Sequence, residues 1–271
     1  DTGMAEWISS RKNEQVKTAA KLGQSASFRR QTGLFLAEGA RLCADAFTSR
    51  VRIRQFFCTE HAAKKYESYL TPILRAVPSF FITEPVAELL SQTEGNQGVF
   101  CVCEQRKELS WEAFPLRHCL AMETVQDPGN LGAALRTAEA LGLGSVLLAG
   151  SCCDVYSPKA LRASMGAVFR LPVFFSRKLP DALDALHGQG FFSCAAVPDS
   201  SARPITEVDF SHPCIMAVGN EGNGLTEAAA AACNLRVTIP MLGRAESLNA
   251  ASSAAILMWE MMRSGGISGG G

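Results

Sequence analysis

The sequence predicts an α/β protein made of two units, the second and larger of them a parallel sheet with helices on both faces. Three observations carry this. Hydrophobic residues form 47% of the 271-residue chain and charged residues 19%, which leaves room for real cores and speaks against a disordered, collagen-like or coiled-coil chain. Short apolar runs alternate with stretches of three-and-four apolar spacing along most of the length. That alternation lapses between Glu104 and Leu116, where the composition turns polar, so a linker is expected at 106–117, between a unit at 11–105 and one at 118–263.

In the first unit, Val16, Ala19, Ala20 and Leu22 mark a helix beginning at Asn13. A short strand, Leu34–Ala37, then leads through Glu38-Gly39 into a helix carrying Ala40, Leu42, Cys43, Ala46 and Phe47. Strand Ile53–Cys58, helix Ala62–Leu70, strand Ser79–Thr83, helix Val86–Leu90 and strand Gly98–Val102 complete an α/β sandwich. The second unit alternates again. Strands are expected at Cys119–Thr124, Ser145–Ala149, Val173–Phe175, Phe191–Ala196, Cys214–Val218 and Arg236–Ile239. Helices are expected at Leu131–Leu141, Pro158–Met165, Leu179–Leu186, Thr226–Cys233 and Leu248–Met262. Strands apolar through their length and separated by helices argue for a parallel sheet covered on both faces. Residues 264–271 read as a flexible tail, and Asp1-Thr2-Gly3 ahead of Met4 as a cloning remnant.

Charge excludes little: 26 Lys and Arg balance 26 Asp and Glu, so there is no global basic field, only local enrichment. Lys17, Lys21, Arg29 and Arg30 decorate the first helical region, and Arg41 opens a stretch to Lys65 with six bases and two acids. Such a cluster is either a solvated face or a grip on phosphates. The ten cysteines form no CxxC pair, and most sit in apolar runs as small buried hydrophobes; four scattered histidines complete no ligand set, so no metal is expected. No run approaches the length of a membrane span, and a reducing cytoplasm is the expected setting.

Chemistry concentrates in three loops that follow strands of the second unit, where an α/β sheet places its ligand. In Glu123–Gly142, Pro128-Gly129 makes the turn, Asn130 stands where a helix cap is needed, and Arg136 follows about one and a half turns in. An arginine there either snorkels to solvent or holds an anion. In Ala217–Thr226, Gly219, Gly222 and Gly224 frame Glu221, which either fixes its loop by accepting backbone N–H bonds or pairs with Arg136. In Ile239–Met262, Ser247-Leu248-Asn249 opens a helix whose first turns are almost all Ala and Ser, so that a backbone or a flat ligand packs closely.

Together, in this order and spacing, the three strings resemble the SpoU/TrmH family of RNA 2′-O-ribose methyltransferases of the SPOUT superfamily, over 118–263. Gly33–Phe47, "GLFLAEGARLCADAF", is similar to the substrate-binding domain often fused to such enzymes. The resemblance implies a deep trefoil knot in the second unit, a homodimer, and S-adenosylmethionine bound bent inside the knot. It implies cofactor contacts at Ala196, Gly219, Ile239, Met241, Ser247, Leu248 and Asn249, and a catalytic group of Asn130, Arg136, Glu221 and Asn249. It further implies RNA as substrate, with ribosomal RNA favoured over transfer RNA, gripped by Lys17, Lys21, Arg29, Arg30, Arg41 and Arg136.

Methyl transfer to a ribose hydroxyl requires alignment and removal of a proton from a very weak acid. In related enzymes an arginine at the place of Arg136 is proposed to assist that deprotonation. A guanidinium normally stays charged, so electrostatic stabilisation of a developing alkoxide is the preferred role here. The rival readings are a non-catalytic RNA-binding protein on the same fold and a nucleotide-binding oxidoreductase. The glycine order of the second loop disfavours the oxidoreductase.

Overall fold

A computed structural model describes residues 6–265 of the chain. Its elements are β1 (Glu6–Ile8), α1 (Glu14–Gln24), α2 (Ala26–Thr32), β2 (Leu34–Glu38), α3 (Ala40–Thr48), β3 (Ile53–Cys58), α4 (Glu60–Lys65), α5 (Glu67–Ala76), β4 (Ser79–Ile82), α6 (Glu84–Leu90) and β5 (Val99–Glu104). They continue with β6 (Cys119–Glu123), α7 (Pro128–Ala140), β7 (Ser145–Ala149), α8 (Pro158–Ser164), α9 (Ala167–Arg170), β8 (Val173–Ser176), α10 (Leu179–His187), β9 (Phe192–Ala196), β10 (Arg203–Pro204), β11 (Cys214–Val218), α11 (Glu227–Ala232), β12 (Leu235–Thr238) and α12 (Ala250–Ser264). Two compact units result: residues 6–107 together with Asp154–Phe169, and Glu108–Cys153 together with 170–265.

The first unit carries a five-stranded sheet in the order β1-β4-β3-β5-β2, with β5 antiparallel to both β2 and β3 and the other pairs parallel. Val16, Ala19 and Leu22 of α1 and Val86, Ala87 and Leu90 of α6 bury one face of it against Leu36, Phe57, Phe100 and Val102. Asn13 starts α1 by accepting the Gln15 and Val16 amides on its Oδ1. The helix expected at Ala62–Leu70 is in fact two. Thr59 caps the first through the Ala62 amide, the chain breaks at Tyr66, and α5 then runs to Ala76. The sequence pattern also missed α2, which Ser25 caps through the Phe28 amide.

Asp154–Phe169 departs from the expectation of one contiguous second domain. The Phe35 ring stacks on Tyr156 at 4.7 Å and on Phe169 at 5.9 Å between centroids. Arg29 donates to Asp154 Oδ2 at 2.7 Å and to the Leu22 carbonyl at 2.7 Å. A buried aromatic stack and a partly buried ion pair hold this segment to the first unit. The expected linker is no free tether either: Ser110 caps a short 3₁₀ turn at Trp111–Ala113, and Phe114 is buried against Phe174 at 4.4 Å.

Seven strands form the second sheet in the order β10-β12-β9-β11-β6-β7-β8, every neighbouring pair parallel. Leu179, Leu183 and Leu186 of α10 and Ala229 of α11 cover one face with Phe114, Phe174 and Phe191; α7 and α12 pack on each other, and α12 also on β11. The chain builds outward from β6 to β8 and then returns to the other side of β6, which puts a reversal of strand order at β6 and β11. Ser264, expected to open a tail, instead ends α12 with its hydroxyl on the Glu260 carbonyl at 2.7 Å. Residues 266–271 and the Asp1–Met4 lead lie outside the described residues. Among the described residues no helix is long and apolar enough to cross a membrane.

Candidate functional site

Four parallel strands deliver their carboxyl ends to one edge of the second sheet, at the reversal of strand order where open α/β sheets bind ligands. The register places Val237 beside Ala196, Ala217 beside Ala195 and Val218 beside Met122. Thr124, Ala196, Gly219 and Ile239 therefore leave the sheet side by side, from four separate parts of the sequence.

The first loop leaves β6 at Thr124, a β-branched residue held at φ 53°. That conformation is costly for such a side chain and persists only where surroundings enforce it. Here the Thr124 amide bonds the Ala149 carbonyl at 3.0 Å, and its own carbonyl accepts from Asn220 Nδ2 at 2.8 Å. The cap of α7 is Asp127, not Asn130: Asp127 Oδ1 accepts the Asn130 amide at 2.8 Å, and Pro128 occupies the first helical position. Pro128 fixes this choice, because proline fits the first turn and pushes the cap to the residue before it. Asn130 is thereby a first-turn residue whose side chain is released for other contacts, and Arg136 stands more than two turns in, exposed to solvent. Among the described residues Arg136 enters no ion pair, so Glu221 does not hold it.

Glu221 instead anchors the second loop to the first. Its Oε1 accepts the Asp127 amide at 3.0 Å and its Oε2 the Gln126 amide at 3.3 Å. Burial pushes this carboxyl up, but amides from Asp127, Glu221 itself and Gln126 and the Asn130 side chain together outweigh it and hold the group below the usual carboxylate value. Asn220 and Gly224 close the loop through reciprocal backbone bonds of 3.1 and 2.9 Å. Gly219 is required at that closure. A Cβ there would lie 2.0 Å from the Gly224 carbonyl carbon and 2.1 Å from the Leu225 nitrogen, both backbone atoms. Deeper in, buried Glu123 accepts the Thr226 amide at 2.7 Å and its hydroxyl at 3.0 Å, pinning the far end of the loop to β6.

The third loop, from Ile239 to Asn249, carries exposed residues from Pro240 onward, among them Met241, Ser247 and Leu248. It ends at Asn249, which caps α12 by accepting the Ala251 and Ser252 amides at 2.9 and 3.2 Å. The Asn249 Nδ2 donates to Asn130 Oδ1 at 3.1 Å, and the nearby Asn130 side chain helps hold the Glu221 carboxyl down. Asn249 and Glu221 thus each bond the first loop, one through the Asn130 side chain and the other through the Gln126 and Asp127 amides, so all three loops are joined. Of the catalytic candidates the structure gathers these three, and it places Arg136 further along α7.

The RNA-binding candidates divide. Lys17 pairs with Glu14 on the surface, Lys21 lies 4.4 Å over the Phe28 ring, and Arg30 and Arg41 are exposed. Arg29 does not belong with them. It is 4% exposed and committed to Asp154 and Leu22, so it is a structural cation of the first unit and faces no RNA. Residue patterns also missed Thr124, Glu123 and Asn220, which set the loop geometry. Their places inside the first and second loop strings were the signal available. Among the described residues no three His, Cys, Asp or Glu side chains converge as a metal site, and all the cysteines are free.

The SpoU rRNA Methylase family matches residues 117–259, and the MRM3-like substrate binding domain matches 13–101. The chain is 32% identical to the 23S rRNA (guanosine(2553)-2′-O)-methyltransferase RlmP of Bacillus subtilis, over 94% of this chain and 98% of that one. Among solved structures, an AdoMet-bound rRNA methyltransferase from Sinorhizobium meliloti superposes with a TM-score of 0.84 at 28% identity, covering 96% of this chain and 98% of that one. The SpoU methyltransferase AviRb from Streptomyces viridochromogenes, in complex with the cofactor AdoMet, gives 0.83 at 27% identity over 93% and 98%.

Proposed function

Because the chain belongs to the SpoU rRNA methylase family, we propose that its second unit transfers a methyl group from S-adenosylmethionine to a ribose 2′-hydroxyl of ribosomal RNA, at the edge where the three loops meet. The observation that carries this reading is the joining of the first loop to Asn249 through Asn130 and to Glu221 through the Gln126 and Asp127 amides, which ties three sequence-distant loops into one site at the strand ends. The residues fit the donor. Loop 240–249 offers Met241, Leu242 and Leu248 as exposed apolar side chains beside the strand-end backbone of Ala196, Gly219 and Ile239, the mix of apolar wall and main-chain polar groups that an adenosine moiety needs. S-adenosylmethionine supplies an electrophilic methyl group carried on a sulfonium.

The chain's own residues do the rest. Asn130, fixed on both sides, orients the sugar hydroxyl, and Asn249 holds the donor loop in register with it. Glu221 keeps the second loop closed against the Gln126 and Asp127 amides. Arg136 holds the RNA backbone and stabilises negative charge developing on the 2′-oxygen. Ser247 belongs to the donor side of the site.

The finer parts of the reading are a knotted path through the second unit, a homodimer and a cytoplasmic setting. Support for the path is that α12 follows β12 near one edge of the sheet yet returns to pack on β11 and α7 at its middle. Support for the dimer is the outer face of α12, where Ile256 and Trp259 are 39% and 56% exposed at helical spacing. The first unit contributes RNA affinity through exposed cations, so binding should weaken as salt rises. Mapping ribose methylation in ribosomal RNA from cells with and without the gene tests the function. One or a few 2′-O-methyl positions should vanish with the gene; an unchanged map counts against the reading.

A further inference from the structure

We propose that a cavity of the first unit, about 310 Å³ and walled by Arg41 and Arg162, binds one unpaired nucleotide of the RNA substrate, at a place distinct from the nucleotide that is methylated. The proposal rests on the RNA-methylation reading for the identity of the polymer; the cavity itself stands on its own geometry. Its walls come from three stretches: the amino end of α3, the loop at 93–97, and α8 within the segment that joined this unit against sequence order.

The charge in the cavity is unevenly committed. Glu38 lines it but is spent on the wall, with Oε1 accepting the Ser91 and Thr93 hydroxyls at 2.6 and 2.8 Å and Oε2 the Gln92 amide at 3.0 Å. Gln97 likewise closes the wall by accepting the Ala40 amide on Oε1 at 2.9 Å, which leaves its Nε2 as a donor. Arg41 and Arg162 enter no ion pair among the described residues, and Arg162 Nη1 is buried with no hydrogen-bond partner. A guanidinium nitrogen without an acceptor is costly, and a ligand oxygen that reached it from the cavity would relieve that cost. The lining sets these two guanidiniums against two carboxylates, Glu38 and Asp45, but the Glu38 oxygens are turned to wall donors, so the guanidiniums are the groups left to meet a phosphodiester.

Shape narrows the ligand further. Leu42 and Met165 give the cavity an apolar side, and Asp45 with the Gln97 amide gives hydrogen-bonding groups of both senses. Apolar wall, paired donor and acceptor, and two phosphate-seeking arginines are what an extruded base with its backbone phosphate requires, and unpaired bases are what proteins read in RNA. The volume lies at the lower end for ligand pockets, which suits one nucleotide and excludes a stack of them.

The test uses the full chain, a fluorescein-labelled fragment of 23S ribosomal RNA and the same fragment substituted with 4-thiouridine. Arg41→Ala and Arg162→Ala should each weaken binding by roughly tenfold and lower the slope of log affinity against log salt by about 0.7. S-adenosylmethionine affinity by calorimetry should stay within twofold, as should kcat at saturating RNA, so that the loss appears in KM. Photocrosslinks in the wild type should fall within residues 38–45, 93–97 or 159–165. Unchanged affinity in both variants, with crosslinks elsewhere, overturns the cavity proposal while leaving the methyltransferase reading intact. No RNA binding by the wild type at all overturns both.

Discussion

Replacing Gly219 by alanine puts a methyl group where the loop's own main chain already lies. The added carbon would stand 2.0 Å from the Gly224 carbonyl carbon, 2.1 Å from the Leu225 nitrogen and 2.4 Å from the Gly224 oxygen. None of these is the end of a flexible side chain, so residues 220–225 must retreat by more than an ångström. That movement breaks the 3.1 and 2.9 Å bonds between Asn220 and Gly224, worth about 1 kcal/mol each, and overpacking adds about 1–3 kcal/mol. The closed loop is then disfavoured by roughly 3–5 kcal/mol, which lowers the binding-competent fraction by two or more powers of ten. Because the loop tip is exposed, the molecule relieves this by opening the loop, not by unfolding. Calorimetry should show S-adenosylmethionine affinity reduced about 100-fold or more, while the melting temperature falls by less than about 5 °C. Gly222→Ala is the control: its Cβ meets only Asn220 Oδ1, at 3.5 Å, and affinity should stay within twofold. If Gly219→Ala binds the donor within threefold of wild type, the reasoning about this loop is refuted.

Three further outcomes are expected. Arg136→Ala should reduce methyl transfer by about 100- to 1,000-fold with donor affinity unchanged within a few-fold, whereas Arg136→Lys should recover part of the rate if charge is what matters; a normal rate in the alanine variant removes the residue from the mechanism. Arg29→Met should destabilise the fold by about 2–3 kcal/mol, because it leaves the partly buried Asp154 without its cation and the Leu22 carbonyl without its donor, and the pair Arg29→Met with Asp154→Leu should recover part of that in urea melts. His118 accepts the Cys214 amide on Nδ1 at 3.0 Å and its other nitrogen faces the Phe210 carbonyl; burial pushes it below its ordinary value of 6.5, with those contacts in partial opposition. Since the unfolded chain binds the proton more readily, this stabilisation is full above about pH 6.5 and is lost as pH falls through the lowered folded value. Melting temperatures of wild type and His118→Gln should therefore converge on acidification, and parallel curves would contradict the assignment.

Most of the second unit was legible because its signals are local. Apolar strands such as Cys119–Glu123 and Cys214–Val218 are read from composition, and the loop after each is read from Gly, Asn and Pro. Legibility failed where a residue's role depends on a distant partner. Arg29 looks like any surface base in a helix until Asp154, far along the chain, is found beside it. The same distance hid the attachment of Asp154–Phe169 to the first unit, since nothing near Tyr156 announces Phe35. The cap of α7 was a different matter, a reading of "DPGN" that gave Asn130 the role Pro128 assigns to Asp127. That error matters for the site, because Asn130 Oδ1, freed from capping, is the atom that accepts from Asn249. The necessity of Gly219 was invisible for a third reason: its φ is not left-handed, and only the return of the loop onto itself excludes a side chain.

The most direct measurement is of the product. Purified protein is incubated with S-adenosylmethionine carrying a labelled methyl group and with ribosomal RNA lacking its ribose methylations, and the RNA is digested to nucleosides and resolved by mass. The label should appear in a single 2′-O-methylnucleoside, and the adjoining phosphodiester should resist alkali. Label on a base, or none on RNA while the protein holds the donor, would contradict the central claim.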